Sequence, residues 1–332
     1  IDTPIDLLSL GQKYRLMLAA QLVFEPNLLL LDEPWTQLDN HGVQELYFVL
    51  KDLLRQGVAI VMVEHRPQAF GQLVSHLWQL AKGQLSAGLY QPCTSARLKL
   101  TKLIRQAEDK AAAVVISPHR FQFSVGSVLF RCNQTLAIKA GEIIALVGDN
   151  GCGKSSLLKA LAGMQADIGQ LPLLVLGQRP KLGLFGARVC LLLQRPNRQL
   201  FEQTVLTEMQ FSLRRFRLPL AWAESMLQQL SLTHLSASSP HKLSYGQQHI
   251  IALASLACLR PKVLLLDDPF AGLDESHSDK VWQLLLKLRQ QGCAILFTSH
   301  RTVRSAAVDH IWQIDAGCLS AVPSLMVHAD VG

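Results

Sequence analysis

The chain repeats itself. A step of 235 residues carries LSLGQ, which begins at Leu8, onto LSYGQ, which begins at Leu243 (243 − 8 = 235). The same step takes the apolar run ending in Asp32 onto the run ending in Asp267, and His65 onto His300. A repeat of this kind constrains the chain to two copies of one unit in tandem. The copies are unequal. The second begins near residue 118 and reaches LSYGQ only at Leu243, whereas Leu8 is almost the first residue of the first. A glycine-rich segment, GDNGCGKSS at Gly148–Ser156, belongs to the second copy alone. The first copy is therefore expected to lack its front part. A chain that opens on Ile1 rather than Met fits a partial product.

Within each copy, strands alternate with helices. Leu28–Leu31 and Val58–Val63 are apolar runs of the length and type expected of parallel strands buried on both faces. The expected division is a first block over 1–85, a linker over 86–117, a second block over 118–322 and a tail over 323–332. The linker reading rests on Gly88, Pro92 and Ser95, followed by a basic stretch with Arg97, Lys99, Lys102 and Arg105. With 49% hydrophobic and 17% charged residues the chain can bury real cores. No apolar run approaches the roughly 18–20 residues of a membrane span. The seven cysteines include no C-x-x-C pair, which argues against a metal cluster or disulfide framework. A net charge of +7 permits contact with anionic surfaces without identifying one.

Gly148, Asp149, Asn150, Gly151, Cys152, Gly153, Lys154 and Ser155 fit G-x-x-x-x-G-K-[ST], the phosphate loop, with Ser156 continuing into a helix. The glycines let main-chain N–H groups turn toward phosphate oxygens, and the helix adds its positive end. Lys154 is expected to reach the outer phosphates and Ser155 to ligate Mg²⁺. Asp267, at the end of a second strand, would hold the Mg²⁺ shell. Asp268 stands where a base or water-positioning carboxylate is wanted, and Glu33 is its counterpart. His65 and His300 each end an apolar strand and are expected to contact the γ-phosphate.

Together these elements resemble the ATP-binding cassette (ABC) ATPases over almost the whole chain. The resemblance implies an α/β P-loop NTPase cassette fold: a mainly parallel sheet, an antiparallel β subdomain and a helical subdomain, in one partial and one complete copy. LSLGQ and LSYGQ match the family signature, departing at the third position with Leu10 and Tyr245. Ser9, Gly11 and Gln12, and Ser244, Gly246 and Gln247, are then expected to serve ATP. Asp39 and Asp274 match the D-loop, Gln194 the Q-loop and a Mg²⁺ ligand, and Phe123 the adenine-stacking aromatic.

The run Gln194-Arg-Pro196-Asn-Arg-Gln199-Leu-Phe201, with Thr204, Val205 and Glu208 beyond it, is similar to the Q-x-P-x-x-Q-x-F pattern of energy-coupling factor (ECF) ATPases. That resemblance implies ATP and Mg²⁺ as cofactors and a position at the cytoplasmic face of a membrane. It also implies a transmembrane coupling subunit, met near Gln199 and Phe201, and a separate subunit selecting a vitamin, a vitamin precursor or a nickel or cobalt ion. Nucleic acid is not an expected partner. The family pairs its cassettes head to tail, so Lys154, Ser155, Gln194, Asp267, Asp268 and His300 would work with Ser9, Gly11 and Gln12. Glu33 and His65 would work with Ser244 and Gly246. Asp268 is one methylene shorter than Glu33, which implies a slower site. The alternative reading is a twin-cassette ATPase acting on ribosomes, and a third is a DNA-repair or chromosome-maintenance ATPase.

Overall fold

A computed structural model describes residues 4–5, 10–35, 38, 40–64, 73–81, 83–88, 112–122, 128–165, 172–299 and 307–322. The chain forms two compact units, Ile1–Leu100 and Thr101–Gly332.

The first unit runs α1 (Leu10–Leu22), β1 (Leu28–Asp32), α2 (Asn40–Arg55), β2 (Ala59–Val63) and the hairpin β3 (Trp78–Ala81) and β4 (Gln84–Ala87). β1 and β2 pair in parallel from Leu28 opposite Ala59 to Asp32 opposite Val63. Leu29 and Leu31 of β1 join Leu18, Trp35, Leu46 and Leu50 in a small core.

The second unit begins with β5 (Ala112–Ile116), β6 (His119–Gln122), β7 (Val128–Cys132), β8 (Leu136–Lys139) and β9 (Ile143–Gly148). There follow α3 (Lys154–Leu161), β10 (Leu173–Val175), β11 (Val189–Leu192), α4 (Val205–Arg215), α5 (Ala221–Gln229) and α6 (Tyr245–Ala257). β12 (Val263–Leu266), α7 (Glu275–Gln290), β13 (Ala294–Ser299), β14 (His310–Asp315) and β15 (Cys318–Val322) complete it. An eight-stranded sheet has the order β11-β12-β13-β9-β14-β15-β7-β6, and β10-β5-β8 form a small antiparallel sheet. β11 through β14 in that order are parallel neighbours. This is the cassette arrangement that the sequence implied, with the helices α4 and α5 as its helical part.

Two expectations need correction. The linker was read as reaching residue 117, yet Ala112–Ile116 is a strand paired with β8 and β10, with Ala113, Val114 and Ile116 buried. Its Ala-Ala-Val-Val-Ile run is apolar enough to demand a partner, so the second unit starts earlier than 118. β2, expected to be buried on both faces, alternates exposed and half-buried residues, and β1 departs from the same expectation. β1 is buried on one face: Leu29 and Leu31 point into the core, while Leu28 and Leu30 are exposed, Leu30 by 69%.

The copies explain that difference. The 235-residue step maps α1 onto α6, α2 onto α7 and the Leu28–Ala59 pair onto Val263 opposite Ala294, end for end. Leu28, Leu30 and Val61 thus correspond to Val263, Leu265 and Leu296, which are buried in one cluster with Leu157 and Leu161 of α3 and Val175 of β10. In the second unit the helix after the phosphate loop covers this face. The step is not constant to the end. Trp78 pairs with Ala87 as Trp312 pairs with Ala321, a step of 234 (312 − 78 = 234). One residue is lost between His300 and the hairpin. Trp312 is 1% exposed and Trp78 is 65% exposed, again the same loss of cover.

Candidate nucleotide site

β9, β12 and β13 are parallel neighbours, so their carboxyl ends meet at one edge of the sheet. That edge is where open α/β sheets place ligands. From β9 the chain enters the glycine-rich loop. Gly148 has φ 154°, and a β-carbon there would lie 2.7 Å from the Ile314 carbonyl oxygen and 2.9 Å from Cys152 Sγ. Gly151 and Gly153 also have positive φ, and Gly153 is the N-cap of α3 with no side chain to cap it. The first-turn N–H groups of α3 are therefore left for a ligand that accepts hydrogen bonds. Ser156 lies in that first turn, while Asp149 and Asn150 lie in the loop between β9 and α3. Burial pushes the Cys152 thiol up, with the Lys154 charge pulling the other way.

Lys154 is buried, and its Nζ donates to the Gly148 carbonyl oxygen at 2.6 Å and the Asp149 carbonyl oxygen at 2.7 Å. The ammonium is thus held inside the loop that would receive phosphates. Ser155 donates to Asp267 Oδ1 at 2.8 Å, and Thr298 of β13 donates to the same oxygen at 2.9 Å. Burial raises the Asp267 carboxyl above the usual range, and these two hydrogen bonds oppose the rise. A buried carboxylate beside a hydroxyl, both hard oxygen donors, fits a Mg²⁺ shell shared with phosphate oxygens. Ser155 and Asp267 would hold that ion and help neutralise phosphate charge. Half-buried Gln194 follows β11, next to β12 in the sheet.

Asp268 is buried, and its N–H donates to Thr298 Oγ1 at 2.8 Å. Its φ is 51° and that of Glu33 is 44°. The two acids share a left-handed backbone, which non-glycine residues adopt at a cost and which concentrates at functional sites. Thr298 was missed from sequence, although it joins Asp267 and Asp268. A polar residue two positions before His300 in an apolar strand was the available signal.

Ser244 caps α6. Its Oγ accepts from the Gln247 N–H at 3.3 Å, and Gln247 Oε1 accepts from the Ser244 N–H at 3.1 Å. Asp274 caps α7 by accepting the His277 N–H at 2.7 Å. His249, also unremarked in the sequence, lies in α6 with 0% exposure. Neither ring nitrogen has a hydrogen-bond partner among the described residues. Burial lowers its pKa to about 4, with the Asp268 charge acting in the opposite direction.

Gln199 was expected to face a partner. Its side chain instead accepts from the Leu193 N–H at 2.9 Å and donates to the Leu191 carbonyl oxygen at 3.1 Å, lacing the loop after β11. A side-chain amide so engaged braces the loop and presents little to a partner. Phe201 does project: it is 60% exposed, stacks edge-on against Phe211 at 4.9 Å, and its N–H is held by buried Glu208 at 2.8 Å. Gly11 and Gln12 lie in the first turn of α1, equivalent to the start of α6. Ser9, Asp39, His65, Phe123 and His300 lie outside the described residues.

Residues 132–271 match the family model described as ABC transporter. A Methanosarcina acetivorans protein provisionally named an ABC transporter ATP-binding protein is 30% identical over 311 residues, covering 89% of this chain and 59% of that protein. A Bacillus subtilis protein, YkoD, provisionally named an HMP/thiamine import ATP-binding protein, is 27% identical over 340 residues, 89% of this chain and 61% of YkoD. The chain thus spans about three fifths of the length of these relatives. Among solved structures, cbiO1 from Clostridium perfringens, described as part of the ABC transporter complex cbiONQ, matches with a TM-score of 0.58. The match has 24% identity and covers 67% of this chain and 92% of that one, a likeness of fold. A nucleotide-free ATP-binding cassette from an ABC transporter matches with a TM-score of 0.53, 19% identity and coverage of 64% and 91%. Sequence match and site geometry agree on one segment, and the chain carries an ABC transporter ATP-binding domain.

Proposed function

We propose that this chain binds Mg²⁺-ATP and hydrolyses it to energise a membrane importer of the ECF type. The observation that carries the reading is the convergence of Ser155 and Thr298 on Asp267 beside the phosphate loop. It sets a buried, cation-seeking carboxylate against a cradle of main-chain donors. Lys154 would exchange the carbonyl oxygens of Gly148 and Asp149 for phosphate oxygens, and Asp268 would position the attacking water.

The ECF reading draws support from the fold likeness to cbiO1 and from the name of YkoD. It also draws on exposed Phe201, which offers an apolar contact to a transmembrane subunit. No described helix is long and apolar enough to cross a membrane, so a membrane role requires such a partner. The substrate would be chosen by another subunit. The uncovered face of β1 and β2 supports a further element of the reading: in the working protein a phosphate-loop layer like that of α3 covers it.

The test is co-purification of tagged protein from solubilised membranes, followed by Mg²⁺-dependent ATP hydrolysis. Lys154→Ala is expected to weaken ATP binding at the site that Lys154 and Asp267 line, read by nucleotide binding. Phe201→Ala is expected to lose the membrane subunit while leaving nucleotide binding intact. Recovery of ribosomes in place of a membrane protein would support the translation-factor reading and sink this one.

A further inference from the structure

Gly246 is the second residue of α6, in the first turn of the signature helix. A β-carbon there would lie 3.0 Å from Cγ and from Cδ2 of His277, and 3.2 Å from its Nδ1. A methyl group there would require the imidazole to give way by a few tenths of an ångström. Nor is the ring loose. Its Nδ1 and its own main-chain N–H both meet Oδ1 of Asp274, each at 2.7 Å. One carboxylate oxygen therefore fixes the start of α7 and the plane of the ring together. The imidazole spans two motifs that the sequence presents as separate, the turn at Ser244–Gln247 and the loop at Asp274. The first copy cannot make this contact, because the residue one 235-residue step before His277 is Gly42.

We infer that His277 is a positioning residue: clamped by Asp274, it sets where the Ser244–Gln247 turn presents its N–H groups and hydroxyl to phosphate. The inference rests on the ATPase reading proposed above and on the expectation that this turn serves ATP. The physical need is plain. The free donors of a helix start bind an anion only where they point. A displacement near 1 Å costs on the order of 10²-fold in rate. The wedge stops the turn from sinking toward α7, and the tie to Asp274 makes the turn and the D-loop move together.

A stability cycle on the full chain tests the wedge. Alanine is a better helix former than glycine. Gly246→Ala should therefore raise Tm where nothing opposes it. With His277 in place the added methyl meets the clamped ring, and Tm is expected to fall. In the His277→Ala background the same substitution is expected to raise Tm. A rise in both backgrounds overturns the wedge. Turnover of the membrane complex tests the role. His277→Ala is expected to lower kcat about 10-fold with KM for ATP unchanged, as for a turn displaced by a fraction of an ångström. A His277→Ala complex at wild-type kcat overturns the positioning role and leaves the ATPase reading standing. A wild-type complex without ATPase overturns the ATPase reading and the positioning role with it.

Discussion

At the residue scale, two groups make separable predictions. Glu33 and Asp268 share the left-handed backbone, so their difference is one methylene of reach. A carboxylate set back by about 1 Å from its water costs on the order of 10²-fold. Glu33→Gln is therefore expected to remove most ATP turnover of the purified membrane complex and Asp268→Asn much less; the opposite ranking in steady-state assays would refute this. His249 speaks to pH. Unfolded, its imidazole takes a proton near pH 6.5; folded, burial delays this to about pH 4. Between those values the unfolded chain binds more proton, so stability falls as pH drops through that window, by at most about 3 kcal/mol. The raised carboxyl of Asp267 acts with the opposite sign, but it is common to wild type and variant. Urea unfolding at pH 7, 5.5 and 4.5 should show a shallower loss in His249→Leu, and an equal loss would remove His249 as the cause. The phosphate loop was legible because glycine and lysine at fixed spacing have few other uses. Thr298 was not, because a threonine in a strand is an ordinary strand former. His249 was not, because attention to a helix start passes over its second turn.

At the element scale, the strands differ by what lies on them. Leu265 and Leu30 are equivalent residues in equivalent strands, one fully buried under α3 and the other mostly exposed. Leu265→Ala is expected to cost about 2–5 kcal/mol. Leu30→Ala in the same chain is expected to change stability by no more than about 0.5 kcal/mol. Denaturant titrations compare the two directly, and equal costs would mean that the exposed face is covered in solution. Strand positions and the parallel order were readable from apolar runs ending in acids. Burial of both faces of β1 was not, since a run of leucines records what a strand can bury and leaves open what covers it. The strand at Ala112–Ile116 was hidden by the basic stretch before it, which coloured the whole segment as linker.

At the scale of the whole molecule, the units are unequal in self-sufficiency. The second buries its central strands β9, β12 and β13 along nearly their whole length. The first buries a core of a few leucines with Trp35 and exposes Leu28, Leu30, Val61 and Trp78. So small a unit with an open apolar face is marginal at best. Residues 1–85 expressed alone are expected to aggregate or to melt without cooperativity by circular dichroism, and residues 112–322 to melt cooperatively. A sharp melt of 1–85 would contradict this. The 235-residue step was legible in the sequence; the single-residue slip before the hairpin emerged only from strand pairing. That coincidence of helix ends and registers also has a constructive side. The stretch Leu10–Val63 and its counterpart Tyr245–Thr298 are cartridges of one gauge. Either could be spliced into the other's place without altering chain length, and the slip marks the point beyond which such a splice would fall out of step.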